Sequence, residues 1–497
     1  MSRSTVNPRI VLYHPKSNDS AKRILPMSVL ALGAVLENRF RYEIVDGNCV
    51  KDPVAAIRDC LREGANILAV TVMPGPQLLQ AVPHCRALKK EFPRLTVVWG
   101  GYFPTQHATA CLNSPEIDFV VRGHGELVFL ELLQRLQRNE DYHGLEGLAC
   151  RDDTGRVLEN PLAAIPHPEN LPPYPYHRLE MERYLRKTFL GSRTLPHHSS
   201  YGCPFLCNFC AVVNMVNGRW LPQSAETVAA TARLYAQRWG VNAIEFCDNN
   251  FFTHEARVKE IAERIAPLGI SWWGEARVDT LLKYSDETWR LMRKSGLKMV
   301  FMGAESASAE ILNRMDKGGT LTPDKTLEIA AVARDHSVIP EFSFVLGNPP
   351  EPAADVHDTL KFVRKLKKIN PYCEIILYNY SPVPLSGNLY DSALAGGFAF
   401  PQNLDEWVSP KWAEFSQRRG AGVPWVDQDL RLRVRNFERV LNAYYPTSTD
   451  IRLTPFRRGV LRAASAWRFH LEYYDFPLEL RALQKILHYQ RPETSGF

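Results

Sequence analysis

Over roughly the first 140 residues, short apolar runs alternate with segments in which apolar side chains recur every three or four positions. The short runs are rich in Val and Ile and predict strands, whereas the periodic segments predict helices. Strands are predicted over residues 9–15, 42–48, 67–73, 96–101 and 119–123, and helices over residues 27–37, 53–63, 77–91 and 126–137. Strands and helices that alternate at these lengths indicate a doubly wound α/β domain with a parallel sheet.

Turns that contain glycine follow three of these strands. Ligands of parallel α/β sheets lie at the carboxyl ends of the strands, and glycine lets the backbone come close to a large flat ligand. The pattern alone therefore predicts a flavodoxin-like (Rossmann-type) domain for a nucleotide or another cofactor over residues 1–140. Its candidate binding positions are Gly75, Gly100, Gly101, Thr105, Gly123 and Glu126.

A second alternating region follows a connector over residues 141–190. The connector contains a predicted hairpin (147–160) and a proline-rich stretch (161–175) that should be extended. Between residues 191 and 390, strands are predicted over 243–249, 271–278, 299–306, 340–347 and 374–380. With the strand that leads into residue 203, they indicate a partial βα barrel with its active groups at the carboxyl mouth. Candidate site residues at these strand ends are Asn249, Asn250, Arg277, Glu305 and Gly347.

Residues 391–497 are predicted to be mainly helical and basic. The net charge of the chain is +6, and residues 431–497 hold twelve Lys or Arg against six Asp or Glu, so the rest is neutral overall. A neutral remainder argues against a nucleic-acid-binding enzyme. The segments 430–445 and 457–474 are basic and amphipathic at helical spacing. They indicate either peripheral contact with a membrane surface or a lipidic substrate, or a helical cap with a solvated basic face.

Length and composition limit the class of protein. At 497 residues the chain should form two or more domains, and no run reaches the roughly 18 apolar residues of a membrane span. The first residues lack the apolar segment of a signal peptide. Seven of the ten cysteines are scattered without a framework spacing, as expected of reduced thiols. We therefore expect a cytoplasmic protein.

Three further cysteines carry the most specific signal. Cys203, Cys207 and Cys210 stand at the spacing C-x3-C-x2-C in YGCPFLCNFC. A structural zinc site normally uses four ligands, and an electron-transfer cluster normally uses four cysteines. Three thiols on one tight loop fit a cubane cluster with one open iron. A zinc knuckle, or three unrelated thiols, are the alternatives.

This loop resembles the cluster loop of radical SAM enzymes, and the segments VWGGYFPTQHA and VVRGHGE resemble the cobalamin-binding subgroup of that family. The resemblance implies a barrel of about six strands, (βα)6, and a cluster of the 4Fe–4S type held by the three cysteines. Its open iron would chelate S-adenosylmethionine, with cobalamin bound by the N-terminal domain. A reductant such as flavodoxin or ferredoxin would supply electrons.

The resemblance also implies roles for the strand-end residues. Asn249 and Asn250 lie in CDNNFF, which resembles a segment that touches S-adenosylmethionine. The alternative is that both residues order the turn as polar loop residues. Arg277 could pair with the carboxylate of S-adenosylmethionine or form a barrel salt bridge. Glu305 in MGAES resembles the position near the ribose, and Gly347 in FVLGNPPE resembles the position that packs against adenine.

Histidines are less informative. No D-x-H-x-x-G motif follows the first strand, so cobalamin is expected to bind without a histidine ligand to cobalt. His197 and His198 directly precede the cysteine loop. They are either a proton-donor pair or structural residues.

The leading hypothesis is therefore a cobalamin-dependent radical SAM methyltransferase acting on an unactivated carbon of a small or lipidic metabolite. The main alternative uses the same cofactors for oxidative cyclisation or rearrangement, as in the anaerobic tetrapyrrole ring cyclase. A methylthiotransferase would need three more cluster cysteines in the N-terminal domain, and the cysteines there have unsuitable spacing. A cobalamin or redox sensor would not need the barrel.

Overall fold

The computed structural model describes residues 7–17, 23–317, 319–416, 423–487 and 489. Its elements form a mixed seven-stranded sheet, then a parallel six-stranded sheet, each with its own helices, and finally a C-terminal group of helices. Among the described helices, none has both the length and the apolar character that crossing a bilayer requires.

The N-terminal sheet contains seven strands. They are β1 (Arg9–His14), β2 (Arg41–Asp46), β3 (Ile67–Thr71), β4 (Thr96–Gly100), β5 (Phe119–Val121), β6 (Leu148–Arg151) and β7 (Val157–Glu159). The helices are α1 (Met27–Leu36), α2 (Pro53–Arg62), α3 (Pro76–Glu91), α4 (Tyr102–Gln106), α5 (Ala108–Leu112) and α6 (Glu126–Arg138). The order is β2-β1-β3-β4-β5-β6-β7, with the first five strands parallel and the last two antiparallel. The parallel part has the flavodoxin-like order predicted from the sequence pattern.

Local sequence explains these elements. Strand β3 is buried along its whole length, as expected for a central parallel strand covered on both faces. Helix α2 begins at Pro53, and the carboxylate of Asp52 accepts a hydrogen bond from the Ala55 amide as an N-cap. Its apolar side presents Ile57 and Leu61 to the core.

The second sheet is an open barrel. Its strands are β8 (Thr194–His197), β11 (Ala243–Phe246), β12 (Ser271–Ala276), β13 (Leu297–Glu305), β14 (Ile339–Leu346) and β15 (Glu374–Asn379). All neighbours are parallel, in the order β15-β14-β13-β12-β11-β8, and no pairing joins β15 to β8 among the described residues. This is the partial six-stranded barrel expected from the resemblance. Strands β9 (Ser200–Gly202) and β10 (Trp220–Pro222) form a separate antiparallel pair.

Helices surround the barrel and complete the C-terminal region. Those of the barrel are α7 (Val212–Val216), α8 (Ala225–Trp239), α9 (Glu255–Ile265), α10 (Val278–Leu281), α11 (Asp286–Lys294), α12 (Ala309–Arg314), α13 (Pro323–Asp335) and α14 (Pro352–Ile369). Those that follow are α15 (Asn388–Ala395), α16 (Leu404–Trp407), α17 (Pro410–Ser416), α18 (Gln428–Tyr444), α19 (Pro455–His470) and α20 (Leu478–Leu487).

The N-terminal sheet and the barrel share one buried apolar core. A single cluster includes Val11 and Leu68 of the first sheet and Phe246 and Trp272 of the barrel. The predicted hairpin (147–160) adds strands β6 and β7 to the edge of the N-terminal sheet. The helix predicted over residues 457–474 ends earlier, at His470, because the backbone turns at Glu472, whose φ is +56°.

Candidate functional site

The three-cysteine loop lies between β9 and α7, at the carboxyl side of the barrel. Gly202 precedes the loop with φ +83°, and a Cβ at this position would lie 2.2 Å from the carbonyl oxygen of Arg219. Only glycine fits this close approach between β9 and the chain that enters β10. Inside the loop, the Cys210 amide donates to the Cys207 carbonyl at 3.1 Å. The loop therefore starts from a fixed hairpin and closes on itself.

Asn208, between the second and third cysteines, fastens the loop to the segment after β13. Its amide nitrogen donates to the carbonyl of Met315 at 3.1 Å, and its side-chain Nδ2 donates to the carbonyl of Arg314 at 2.7 Å. Its side-chain Oδ1 is buried without a hydrogen-bond partner among the described residues. The loop position is thus set from both sides.

The thiols are free and buried to different degrees. Cys207 is buried, and Cys203 and Cys210 are partly buried. Burial raises the pKa of all three thiols, to about 12 for Cys210. The positive charges of Arg277 and Lys317 act in the opposite direction on Cys203 and Cys207. Because the thiolate is the metal ligand, these cations favour the form that would bind iron.

The described residues contain no preformed donor group for a single metal ion. Within the described ranges, no three His, Cys, Asp or Glu side chains converge closely enough to hold one metal ion. A cubane does not require such convergence, because each cysteine of its loop binds a different iron. The three cysteines remain the predicted cluster ligands.

Arg277 is engaged by protein groups at the end of β12. Its guanidinium forms a fork with Asp279, Nε to Oδ1 at 3.0 Å and Nη2 to Oδ2 at 2.9 Å. Its Nη1 donates to Cys207 Sγ at 3.4 Å, and its charge lies 3.9 Å from the ring centroid of Phe205. This geometry favours the salt-bridge interpretation and adds a hydrogen bond to a predicted cluster ligand.

Glu305, at the end of β13, forms a buried ion pair with Lys317. Lys317 Nζ also donates to the carbonyl of Gly303 at 2.9 Å, and Glu305 has a positive φ of +64°. A Cβ at Gly303 would lie 2.0 Å from Glu305 Oε1 and 2.4 Å from Lys317 Nζ. The missing side chain of Gly303 therefore makes room for the pair.

The remaining strand-end residues differ in exposure. Asn249 is exposed, whereas Asn250 is 1% exposed and both polar atoms of its amide lack a partner among the described residues. Gly347 follows β14 with φ +74°, and its carbonyl accepts from Trp425 Nε1 at 2.9 Å. The next residue, Asn348, is buried with an unpaired Oδ1.

These unpaired amide atoms support a ligand site at the barrel mouth. Asn208, Asn250 and Asn348 follow β9, β11 and β14, and each leaves at least one buried polar atom unsatisfied within the described part of the chain. Buried polar atoms are normally hydrogen-bonded, so an unpaired one needs an explanation. A polar cosubstrate such as S-adenosylmethionine would supply partners.

The candidate cobalamin residues lie in the turns after β3, β4 and β5. Gly75, Gly101 and Gly123 have φ of +87°, +101° and +74°. Gly100 ends β4, and Thr105 Oγ1 joins two turns because it donates to the Gly101 carbonyl at 2.7 Å and accepts from the Gly123 amide at 3.0 Å. The backbone of these turns is therefore held in place, as a binding surface for a rigid cofactor requires.

The same turns contact the cysteine loop region directly. Glu126 Oε1 accepts from the hydroxyl of Tyr201, two residues before Cys203, at 2.8 Å, and Glu126 Oε2 is buried without a partner among the described residues. His124 stacks on the Tyr201 ring with centroids 4.4 Å apart. Gln106 donates from Nε2 to the carbonyl of Ala211 at 3.1 Å. The two predicted cofactor sites thus adjoin across one interface.

The histidines before the loop have different surroundings. His197 packs against Tyr235 and Phe246, and its Nε2 hydrogen-bonds Gln223 Oε1 at 3.0 Å. Burial lowers the pKa of His197 to about 4. Burial also lowers the pKa of His198, although the charge of Asp248 opposes this shift. His197 is thus held in the core, which favours a structural role for it.

Several residues of this site were not found by sequence reasoning. Asn208 and Asn348 stand beside motif residues and could have been suspected from that adjacency. Asp279 lies two residues after Arg277, a spacing that could have predicted the pair. Lys317 carries no local signal, because only the fold brings it to Glu305.

Comparison with known proteins agrees with this arrangement. Residues 198–363 match the radical SAM superfamily, and residues 19–133 match the B12 binding domain. An uncharacterized methyltransferase of Pyrococcus horikoshii is 28% identical over 72% of this chain and 78% of its own length. An anaerobic magnesium-protoporphyrin IX monomethyl ester cyclase of Rubrivivax gelatinosus is 25% identical over 80% of this chain and 71% of its own.

A solved structure shares the fold. The radical S-adenosylmethionine methyltransferase TsrM of Kitasatospora setae, with cobalamin and a [4Fe-4S] cluster bound, aligns with a TM-score of 0.65 at 17% identity, over 97% of this chain and 99% of its own. A B12 domain joined to a radical SAM barrel in this way defines a class of enzyme. The chain belongs to the cobalamin-dependent radical SAM family of methyltransferases and cyclases.

Proposed function

We propose that this protein transfers a methyl group from S-adenosylmethionine, by way of cobalamin, to an unactivated carbon of a small molecule. The observation that carries the proposal is the direct contact between the turns after β4 and β5 and the chain on both sides of the cysteine loop. A methyl carrier and a radical generator must both reach one substrate carbon. The carboxyl edge of the N-terminal sheet adjoins the carboxyl mouth of the barrel, so a methyl carrier and a radical generator bound there could reach the same substrate carbon.

The residues of this chain would hold and orient the reacting groups. Cys203, Cys207 and Cys210 would bind the cluster, and the Gly75, Gly101 and Gly123 turns would bind cobalamin. When bound, these groups supply reductive cleavage of S-adenosylmethionine and methyl carriage. We assign the buried side chains of Asn250 and Asn348 to S-adenosylmethionine, because both amide atoms of Asn250 and the Oδ1 of Asn348 lack hydrogen-bond partners among the described residues.

Arg277 and Lys317 would act through electrostatics. Both cations lie close enough to lower the thiol pKa values of Cys203 and Cys207. Arg277 also hydrogen-bonds the Cys207 sulfur. Hydrogen bonds to cluster sulfurs set the reduction potential, so Arg277 would be a positioning residue that tunes electron entry from a reductant such as flavodoxin or ferredoxin.

Oxidative cyclisation is the second candidate function. The similarity to the Rubrivivax gelatinosus cyclase extends over 80% of this chain, and a cyclase would use the same cofactors without methyl transfer. The similarity to the Pyrococcus horikoshii methyltransferase is higher in identity, which favours methyl transfer.

An isotope experiment separates the two. Anaerobic full-length protein, reconstituted with iron, sulfide and cobalamin, is incubated with a reductant and S-adenosylmethionine that carries a deuterated methyl group. We expect the label on cobalamin by mass spectrometry, and 5′-deoxyadenosine once a substrate extract is added. If 5′-deoxyadenosine forms but the label never reaches cobalamin, even with extract, the cyclase function replaces the proposed one.

A further inference from the structure

The C-terminal helices expose large apolar side chains that the enzyme core does not use. We define the C-terminal apolar face as Phe456, Val460, Trp467, Leu471 and Phe476. These side chains are 81%, 36%, 47%, 73% and 70% exposed. Isolated exposed apolar residues are common on proteins, but a group of this size on one element marks an interaction surface.

Helix geometry places most of these residues on one side of α19. Phe456, Val460, Ala463 and Trp467 are separated by three or four positions, and Leu471 directly follows the helix. At about 100° per residue, they line a single stripe along the helix. The opposite side is the one that packs on the protein, because it carries the buried Leu461, Ser465 and Phe469. Helix α19 therefore has a second apolar side that faces outward.

One arginine lies along an edge of this stripe. By the same helical spacing, Arg457 stands beside the stripe and is exposed, whereas Arg462 stands near the side that packs on the protein, with its guanidinium 5.3 Å from the ring centroid of Tyr444. The stem of Arg457 can lie beside apolar groups while its guanidinium reaches outward to phosphate. An outward apolar stripe with a cation at its edge, on a basic segment, is typical of a helix that lies in the plane of a membrane interface.

The turn after α19 holds its apolar residues in place. Arg468 is buried and donates to the carbonyl oxygens of Asp475, from Nη1 at 2.7 Å, and Phe476, from Nη2 at 3.1 Å. Its Nη2 also contacts Glu479 Oε2 at 3.0 Å. Leu471 and Phe476 are thus exposed on a turn tied to a buried cation, rather than on a frayed end.

We propose that the C-terminal apolar face docks the enzyme on an anionic membrane surface, with α19 parallel to the bilayer. Residues 431–497 carry a charge of +6, which complements anionic headgroups. A second copy of the chain would instead bring two segments of this positive charge together. This inference does not depend on the proposed methyl transfer, since it rests on a surface outside both cofactor regions.

Vesicle sedimentation of the full-length protein tests the proposal. The protein should pellet with vesicles of mixed phosphatidylcholine and phosphatidylglycerol, and much less with phosphatidylcholine alone. Removing the cation at the edge of the stripe in Arg457→Gln should weaken binding by about fivefold, since an arginine near an anionic surface contributes about 1 kcal/mol. Phe456→Ser/Trp467→Ser should weaken binding to the same vesicles by a similar factor, because it removes the inserted rings.

Matched variants control for charge and hydrophobicity. Arg39→Gln makes the same charge change at an exposed position of the N-terminal region, and Leu234→Ser/Tyr372→Ser removes exposed apolar groups elsewhere. Both controls should bind vesicles like the wild type. Melting temperatures should stay unchanged in all four variants, since every altered side chain is exposed.

Three results would overturn the proposal. The first is wild-type protein that stays in the supernatant with anionic vesicles, and the second is control variants that lose binding as much as the α19 variants do. The third is a dimer in light scattering that Phe456→Ser/Trp467→Ser dissociates while vesicle binding is unaffected. That result would assign the face to a second copy of the chain.

Discussion

At the residue scale, the site is a set of charges arranged around the cysteine loop. Arg277 connects two of its parts, because its fork to Asp279 leaves Nη1 directed at the Cys207 sulfur. Sequence reasoning identified Arg277 but could not choose between a ligand of S-adenosylmethionine and a salt bridge. The fork to Asp279, two residues further along, favours the salt bridge. The other partners, the Cys207 sulfur and the Lys317 carbonyl, are distant in sequence, and only the fold brings them to Arg277.

Arg277→Gln should lower the reduction potential of the reconstituted cluster. In the wild type, the Arg277 cation and its hydrogen bond to Cys207 stabilise the reduced cluster, which is the more negative state. The variant removes both interactions. A redox titration followed by electron paramagnetic resonance measures the shift. Arg290→Gln removes the same charge at an exposed position and should leave the potential unchanged. Equal potentials in Arg277→Gln and the wild type would show that Arg277 does not act on the cluster.

Glu275, in the barrel strand β12, should make stability depend on pH. Burial, with a smaller contribution from the charge of Asp248, raises the pKa of Glu275 from 4.5 to about 8. Between about pH 5 and pH 8, the folded protein keeps the proton on Glu275, whereas the unfolded chain has lost it. Stability from this group is therefore present below about pH 5 and falls as pH rises toward 8.

The variant Glu275→Gln should reduce that loss. Its melting temperature should fall less between about pH 5 and pH 8 than that of the wild type, by a few degrees, and Glu328→Gln on an exposed helix position should behave as the wild type. Equal falls in melting temperature for the wild type and Glu275→Gln across this range would contradict the assignment of a partly buried, protonated carboxyl.

At the element scale, hydrophobic periodicity predicted the strands of both sheets to within a few residues. Long buried strands such as β1, β3 and β14 carry a strong signal, since their apolar runs are bounded by turn residues. The short strands β9 and β10 were not predicted. Each has three residues, and their pairing depends on the close approach of Gly202 to Arg219, which no local pattern encodes.

Gly202→Ala should prevent cluster assembly without altering a cysteine. A Cβ at Gly202 meets the Arg219 carbonyl at 2.2 Å, so the β9–β10 hairpin that begins the loop must shift. Gly155→Ala is a matched control: its φ of +85° is nearly the same as that of Gly202, at +83°, and a Cβ there has nothing within 4 Å. Gly155→Ala should cost only about 1–2 kcal/mol of backbone strain.

Iron and sulfide content after reconstitution measures the difference. We expect the wild-type content in Gly155→Ala and a large loss in Gly202→Ala. If both variants hold a full cluster, the hairpin does not position the loop.

At the scale of the whole molecule, function depends on how the N-terminal sheet meets the barrel. The sequence predicted both regions and their carboxyl-edge residues. It could not predict that Gln106 contacts the chain after the cysteine loop or that Tyr201 contacts Glu126, since these partners are 105 and 75 residues apart. Such contacts arise from packing of two complete domains, which periodicity does not describe.

Gln106→Ala should slow methyl transfer more than it weakens cobalamin binding or cluster assembly. It removes the bonds to Ala211 and to Asn214, which donates to Gln106 Oε1 at 2.6 Å. Cobalamin binding and cluster content should remain near the wild-type level, whereas label transfer to cobalamin should fall by about tenfold or more, because small misplacements reduce rates strongly. Gln137→Ala, at an exposed position of α6, is the control. Unchanged transfer in Gln106→Ala would mean that this contact does not align the two sites.

We propose that Cys203, Cys207 and Cys210 hold the cluster that generates the radical. The visible absorbance and iron content of anaerobically reconstituted protein test this assignment. We predict a 4Fe–4S spectrum in the wild type and in Cys60→Ala, which removes a half-buried thiol outside the loop, and its loss in Cys203→Ala/Cys207→Ala/Cys210→Ala. A triple variant that retains the full cluster would show that these three cysteines do not bind it.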